Sequence, residues 1–159
     1  MTQIITAPEP LPAKTGKPIV FLAGSIDDGA AEHWQSRFCV ACAAEDWVLL
    51  NPRREQWQAT VEQRAHVPAF REQVEWELAG MERADVIALY FAPESRAPIS
   101  LLELGLFARS GKLVVACPDG FWRKGNVEIV CEKFNVPLVE NLDQLIQTIR
   151  ARTHQLLNS

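Results

Sequence analysis

Several features that would place a protein in a specialised class are missing from these 159 residues. No run of about 18 apolar residues occurs without interruption, so the sequence predicts no membrane-spanning segment. The formal net charge is −4 and the basic residues form no long run, which argues against binding to nucleic acid. Short basic pairs such as Arg53-Arg54 suit a small anionic ligand better. We therefore expect a small-molecule partner, with neither a membrane nor a nucleic acid involved.

Disulfide and metal-ligand patterns are missing as well. The four cysteines form no disulfide framework, and Cys39-x-x-Cys42 lies inside an apolar helical pattern without a second ligand pair. The three histidines share no ligand spacing. Reduced cysteines are typical of a cytoplasmic protein, so we expect that location, with no metal and no organic cofactor.

Short apolar runs alternate with longer helical patterns through most of the chain. The predicted strands cover residues 18–23, 47–50, 84–91, 112–117 and 136–139, and the predicted helices cover residues 30–44, 68–83, 100–110, 127–134 and 141–157. Nearly continuous apolar strands separated by helices are typical of a parallel sheet covered on both faces. We predict a flavodoxin-like, doubly wound α/β fold, in which five parallel strands in the order 2-1-3-4-5 form the middle of a three-layer α/β/α sandwich. Residues 1–17 are expected to form a flexible leader before a single domain over residues 18–159.

Polar residues follow the first four predicted strands, at the edge of the sheet where such folds bind ligands. The candidate binding residues are Gly24, Ser25, Ile26, Asp27, Asn51, Arg53, Arg54, Trp57, Ser100 and Asn126. Gly24-Ser25 would allow close approach of a ligand, and Trp57 could stack on a planar base. Each of these residues also has a structural interpretation, such as a plain turn at Gly24-Ser25 or a helix cap at Asn126. Asp85 begins its strand and is expected to be structural.

The segment Pro98-Ile-Ser-Leu-Leu-Glu-Leu-Gly105 places one carboxylate, Glu103, in the first turn of an otherwise apolar predicted helix. The helix dipole would favour the ionised form there, and an ionised carboxylate is a plausible nucleophile for a sugar carbon. Ser100-x-x-Glu103 fits a capping box equally well, with the glutamate satisfying a backbone N–H. These residues alone leave both interpretations open.

A second acid would be needed to assist the leaving group in glycoside cleavage. Glu75 and Glu77 flank Trp76 in a predicted helix. Residues two apart on a helix face different ways, so at most one of the two should point to the site. The alternative for each glutamate is a solvated surface position.

Five segments together resemble the nucleoside 2-deoxyribosyltransferase family, in particular its branch of short bacterial members. They are Val20-Phe-Leu-Ala-Gly-Ser-Ile26, Asn51-Pro-Arg-Arg54 with Trp57, Gln73-Val-Glu-Trp-Glu77, Ala84-Asp-Val-Ile87 and Pro98-Ile-Ser-Leu-Leu-Glu-Leu-Gly105. The similarity spans most of the chain, from Ile19 to Val136.

The resemblance implies roles for three residues. Glu103 matches the family's nucleophile, Glu77 falls where the family carries an aspartate near the leaving base, and Asn126 lies near an asparagine that a neighbouring subunit supplies. A homo-oligomer with sites near subunit contacts follows, acting on a nucleoside and a free nucleobase. The chain departs from the family pattern at Ala97, which stands where the family has an aspartate, and at Ile99 and Leu101, which replace two glycines.

The resulting expectation is a pentosyltransferase of nucleoside salvage, which moves 2-deoxyribose between nucleobases through a covalent bond to Glu103. One alternative is a nucleoside or nucleoside 5′-monophosphate N-glycosidase, in which water accepts the sugar and Arg53, Arg54 and Ser100 hold a phosphate. A second alternative is a non-catalytic nucleotide-binding or sensor domain, which the departures at Ala97 and at the two glycine positions would suit.

Overall fold

A computed structural model describes residues 1–26, 33–54 and 60–159. In this part of the chain, six parallel strands form one sheet in the order β1-β3-β2-β4-β5-β6. The elements in chain order are β1 (Gln3–Thr6), β2 (Ile19–Gly24), α1 (Trp34–Ala41), β3 (Val48–Asn51), α2 (Pro68–Arg83), β4 (Val86–Tyr90), α3 (Pro98–Phe107), β5 (Leu113–Ala116), α4 (Lys124–Lys133), β6 (Leu138–Val139) and α5 (Leu142–Leu157). None of the helices in these ranges has the length and apolar character needed to cross a membrane.

The count of five strands was wrong, because β1 forms inside the predicted flexible leader. Its residues pair in parallel with β3 at the edge of the sheet, from Gln3 opposite Val48 to Thr6 opposite Asn51. Ile5 is 5% exposed, and the Thr2 hydroxyl donates to the carbonyl oxygens of Cys42 and Glu45. The segment Gln3-Ile-Ile-Thr6 has only two apolar residues between polar ones, so it lacks the apolar run that marked the other strands. The other five strands follow the predicted order.

The strand side chains alternate between the two faces of the sheet and create two cores. One core contains Phe21 of β2 and Leu89 of β4 and is covered by α2, α3 and α4. The other core contains Leu22 of β2 and is covered by α1 and α5. The flavodoxin-like, three-layer α/β/α architecture is therefore confirmed. All four cysteines are free and buried in these cores, as expected.

The helix that carries Glu77 packs closely on the sheet. A Cβ atom at Gly80 of α2 would lie 2.8 Å from the ring of Phe21, so only glycine allows this approach. Trp76, one turn earlier, packs against the same ring with centroids 6.1 Å apart. These contacts fix the inner face of α2 against β2.

Candidate active site

The start of α3 determines where Glu103 lies. The helix begins at Pro98, and Ala97 precedes it in a left-handed conformation with φ of 44°. Proline suits the first helical position because no N–H is needed there. Ser100 is thus the third helical residue and not the N-cap, and Glu103 is the sixth, in the second turn. Both the capping box and the first-turn position of Glu103 were therefore wrong.

Glu103 is a buried acid. It is 9% exposed, and within the described ranges no residue forms a hydrogen bond with it. Burial, and next the charge of Glu77, raise the pKa of Glu103 to about 8. The prediction that the helix dipole keeps this carboxyl ionised was wrong, because the dipole acts within the first turn and desolvation dominates here.

Glu77 lies on the inner side of α2 and is half-buried. Its Oε1 atom accepts a hydrogen bond from Gln73 Nε2 at 2.7 Å. Burial raises the pKa of Glu77, while the Gln73 hydrogen bond and the charge of Arg54 act in the opposite direction. Glu75, two residues earlier, is exposed and pairs with Arg71 at 3.0 Å. The helix therefore turns Glu77 inward and Glu75 outward.

Glu103 of α3 and Glu77 of α2 form an electrostatically coupled pair, because the charge of Glu77 raises the pKa of Glu103. Two acids that share a desolvated site do not both ionise at neutral pH, so the pair retains one proton. Such a pair offers a carboxylate and a protonated acid in the same place. This is the combination that glycosyl transfer requires of a nucleophile and a proton donor.

Gly24 and Ser25, which end and follow β2, make contacts with β4 and the loop after it. Gly24 has φ of +141°, and a Cβ atom there would lie 2.3 Å from the backbone oxygen of Tyr90, so the glycine is needed for contact with β4. Ser25 is fully buried, with its Oγ atom 2.6 Å from Ser95 Oγ. The same oxygen accepts a hydrogen bond from the Ala92 N–H at 3.0 Å. The predicted ligand contact of the Ser25 hydroxyl therefore needs correction, because that hydroxyl joins two loops.

Ile26, the next predicted binding residue, is 44% exposed at the edge of the site. Asp27 and Trp57, which were also predicted to bind the substrate, lie outside the described residues. Their predicted roles stay predictions.

The residues after β3 form a turn that holds two arginines. Asn51 Oδ1 accepts a hydrogen bond from the Arg53 N–H at 3.0 Å, which is a turn contact of the kind asparagine favours. Arg53 Nη1 donates to Gln35 Oε1 at 3.2 Å, and Arg54 Nη2 lies 3.2 Å from Glu72. Both guanidinium groups already have partners within the chain. Of the two, Arg54 also lowers the pKa of Glu77 through its positive charge.

Ser100 and Asn126 lie on α3 and α4. Ser100 is 3% exposed. Asn126 is exposed and is the third residue of α4, so it is not the N-cap of that helix. It lines an apolar cavity of about 320 Å³ between α3 and α4, together with Arg123 and Leu104. Neither carboxyl of the acidic pair lines this cavity, so one chain does not bring Asn126 to the pair.

Two buried glutamines were missed by the sequence prediction. Gln73 is 9% exposed and Gln35 is 1% exposed, and each contacts a predicted site residue. Gln73 lies three residues before Trp76 and seven before Gly80, on the apolar face of α2. A lone amide at a core position was the available signal. Within the described residues, no group of three or more His, Cys, Asp or Glu side chains could hold a metal ion.

Comparison with known protein families identifies a match over most of the chain. The family model described as nucleoside 2-deoxyribosyltransferase like matches residues 17–121, which is more than half of the chain. This range contains both Glu77 and Glu103 and ends before Asn126. Comparison with curated proteins finds no match to the chain.

Proposed function

The chain belongs to the nucleoside 2-deoxyribosyltransferase-like family, and we propose that it moves 2-deoxyribose from one nucleobase to another. The electrostatic coupling of buried Glu103 to half-buried Glu77 is the observation that carries this proposal. A carboxyl that is held away from water and beside a second acid is suited to covalent chemistry at a sugar carbon. Nucleoside salvage in the cytoplasm is the setting that we propose for the reaction.

The proposed reaction has two displacements at C1′ of the sugar. In the first, an oxygen of ionised Glu103 forms a bond to C1′, while the N-glycosidic bond breaks and its electron pair leaves with the base. Glu77 delivers a proton to the departing nitrogen. In the second, a nitrogen of the incoming base attacks C1′, returns its proton to Glu77 and releases the Glu103 carboxylate. The sugar carbon therefore keeps its original configuration.

The position of the single proton is the critical feature of this reaction. Gln73 and Arg54 favour ionised Glu77, whereas Glu103 has no compensating partner among the described residues. In the free protein the proton therefore resides on Glu103. An incoming nucleoside has to shift it towards Glu77, so that Glu103 becomes the nucleophile and Glu77 the acid.

Hydrolysis is the second candidate, because water can replace the incoming base. Ala97, which is 4% exposed, has no side-chain group for a sugar hydroxyl at the position where the resemblance implies an aspartate. The missing group favours a broader specificity for the sugar and for the acceptor. A 5′-phosphate would require Arg53 and Arg54 to exchange their present partners, Gln35 and Glu72.

Incubation with a deoxynucleoside, with and without a second free base, tests the proposal. We expect a new nucleoside in the presence of the second base, resolved by chromatography. Without that base, intact-mass spectrometry should detect a deoxyribosyl adduct that is missing from Glu103→Gln. Release of free base and sugar alone would identify a hydrolase. No turnover of nucleosides, ribonucleosides or 5′-monophosphates would overturn both candidates and favour a sensor domain.

We also propose that a second copy of this chain covers the outer face of α3. Ile99, Leu102 and Leu106 are 57%, 58% and 56% exposed, and their spacing places them on one side of the helix. The neighbouring helix α4 exposes a single large apolar residue, Ile129, which stands beside the charged Glu128 and forms no stripe. An exposed apolar stripe of this kind is typical of an interface.

A second copy suits this stripe because a two-fold contact places each residue near its own equivalent. A charged face would then repel itself, whereas the outer face of α3 is uncharged. Sedimentation analysis should show an oligomer for the wild type and a monomer for Leu102→Glu. A monomeric wild type, or an unchanged oligomer in Leu102→Glu, would contradict this interface. Val40→Glu, at a position on α1 that is 78% exposed, is the matched control.

A further inference from the structure

We propose that Gln73 is a positioning residue that decides which oxygen of Glu77 carries the proton. The inference rests on the proposed function, because it assigns a detailed role to the acid of that reaction. It concerns the geometry of α2 and of the turn after β3, where Gln73 joins two parts of the site.

Both hydrogens of the Gln73 amide nitrogen are used in the structure. One is donated to the backbone oxygen of Pro52 at 2.8 Å and the other to Glu77 Oε1 at 2.7 Å. Exchanging the amide oxygen and nitrogen would place the oxygen against two acceptors, so the orientation follows from the contacts. The amide is thus fixed by a backbone atom on one side and holds the acid on the other.

This contact makes the two oxygens of Glu77 unequal. Oε1 already accepts a hydrogen from Gln73, so a proton bound to Glu77 belongs on Oε2. That oxygen is the one left to face a leaving base. Pro52 precedes Arg53 and Arg54, so the same amide also fixes the distance between the acid and the arginine turn.

The remaining atom of the amide makes no contact that could hold the side chain. Gln73 Oε1 is buried and has no hydrogen-bond partner within the described residues. A buried acceptor without a donor is costly and uncommon in proteins. Among the described residues, the two hydrogen bonds that the amide donates are therefore the ones that fix its position.

Two charged groups face Glu77 from other elements. Arg54 of the turn after β3 favours ionised Glu77, and the charge of Glu77 in turn raises the pKa of Glu103 on α3. The Gln73 hydrogen bond adds to the effect of Arg54. Its removal should therefore make Glu77 bind its proton at a higher pH and in no preferred orientation.

Gln73→Met is the test, since methionine has a similar length and donates no hydrogen bond. We expect kcat for ordinary nucleosides to fall by about 10- to 100-fold, a part of the full contribution of a general acid. KM should change little, and a substrate with a good leaving group should lose less than about 3-fold. The alkaline limb of the pH profile of kcat, where Glu77 loses its proton in the substrate complex, should move to higher pH. Thr153→Val, at a buried hydroxyl of α5 on the other side of the sheet, is the control for a general packing defect.

Titration of the Glu77 carboxyl by NMR adds a measurement that needs no turnover. The signal is assigned with Glu77→Gln, and we expect it to titrate at higher pH in Gln73→Met than in the wild type. Equal losses on both substrates, or an unchanged Glu77 titration, would overturn the inference and make Gln73 a packing residue. If the wild type turns over no nucleoside, the proposed function fails, and the titration alone decides where Gln73 acts. Should Gln73→Met not fold, Gln73→Asn, whose amide is too short to reach Glu77, replaces it in both measurements.

Discussion

At the amino end of the sheet, Asp85 immediately precedes β4 and has two hydrogen-bond partners, whereas at the carboxyl end Glu103 has none among the described residues. Asp85 Oδ2 accepts a hydrogen bond from the Ile19 N–H at 2.9 Å, and its other oxygen lies 3.3 Å from Lys14. Glu103 is buried beside Glu77, an acid of the same charge. Two carboxyl groups at opposite ends of the sheet therefore lie in opposite environments.

The two environments show that the amino end of the sheet contributes to folding stability, whereas the carboxyl end reduces it. A carboxylate with a backbone donor and a cation holds elements together, as Asp85 does for β2 and β4. A desolvated pair of acids is unfavourable for folding, and such arrangements concentrate at functional sites. The carboxyl end of the sheet is thus the end that a substrate would complete.

The largest effect that tests this comparison should come from Glu103→Gln. The variant keeps the shape of the side chain but cannot form an ester, so turnover should fall by at least about 10⁴-fold, as expected for a covalent nucleophile. Steady-state rates measured by chromatography check this. Retention of most of the activity would remove the chemical distinction between the two ends of the sheet.

Glu77→Ala should have the next largest effect and depends on the leaving group. Loss of the acid should slow cleavage of ordinary nucleosides by about 10²–10⁴-fold, and slow a substrate with a good leaving group much less. Rates for both substrates give the comparison. Glu75→Ala is the matched control, since Glu75 is exposed and pairs only with Arg71 among the residues described. A critical Glu75 together with a silent Glu77 would show that the opposite face of α2 forms the site.

The stability of the protein should depend on pH through Glu103. Its pKa is about 8 in the folded state against an ordinary value of 4.5, so the folded protein binds the extra proton between these values. Stability is then fully present below pH 4.5 and is lost as the pH rises through about 8, by at most about 5 kcal/mol.

Glu103→Gln should flatten this dependence and unfold at a higher denaturant concentration than the wild type at pH 9. Urea unfolding at pH 5 and pH 9 measures both effects. Identical pH dependence in the two proteins would mean that Glu103 is ionised and solvated in the folded state.

Asp85→Ala should behave in the opposite way to Glu103→Gln, with reduced folding stability and normal turnover. Loss of the hydrogen bond from Ile19 and of the contact with Lys14 should cost about 1–3 kcal/mol of unfolding free energy. Turnover per folded molecule should stay within about 2-fold of the wild type, because Asp85 lies at the end of the sheet far from the acidic pair. A large loss of kcat in a folded variant would contradict the division between the two ends.

The smallest effect is expected for Lys14→Met, which removes only the exposed ion pair of Asp85. Such pairs contribute about 0–1 kcal/mol, and the backbone hydrogen bond remains. Denaturant unfolding of this variant beside Asp85→Ala separates the two contributions. A loss as large as that of Asp85→Ala would show that Lys14, and not the Ile19 N–H, is the main partner.

The sequence was sufficient for the layers and for the order of the strands after β1. Apolar runs such as Val86–Tyr90 bury both faces, and the helical period of Pro68–Arg83 marks one inward side, so both are local properties of the chain. The prediction of α2 agreed with the observed helix at both ends. The edge strand β1 was missed because only two of its four residues are apolar, and its pairing with β3 is a tertiary contact.

The candidate site shows more clearly what the sequence alone does not determine. The sequence alone placed Glu103 and Glu77 on helices that begin near the carboxyl edge of the sheet, because strand order and helical spacing are read from local patterns. Only the tertiary structure decided that Glu103 keeps its proton, that the Ser25 hydroxyl is occupied by its neighbours and that Gln73 holds Glu77. The physical reason is that desolvation and charge coupling depend on which side chains α2 and α3 bring together, and these groups are 26 residues apart in the chain.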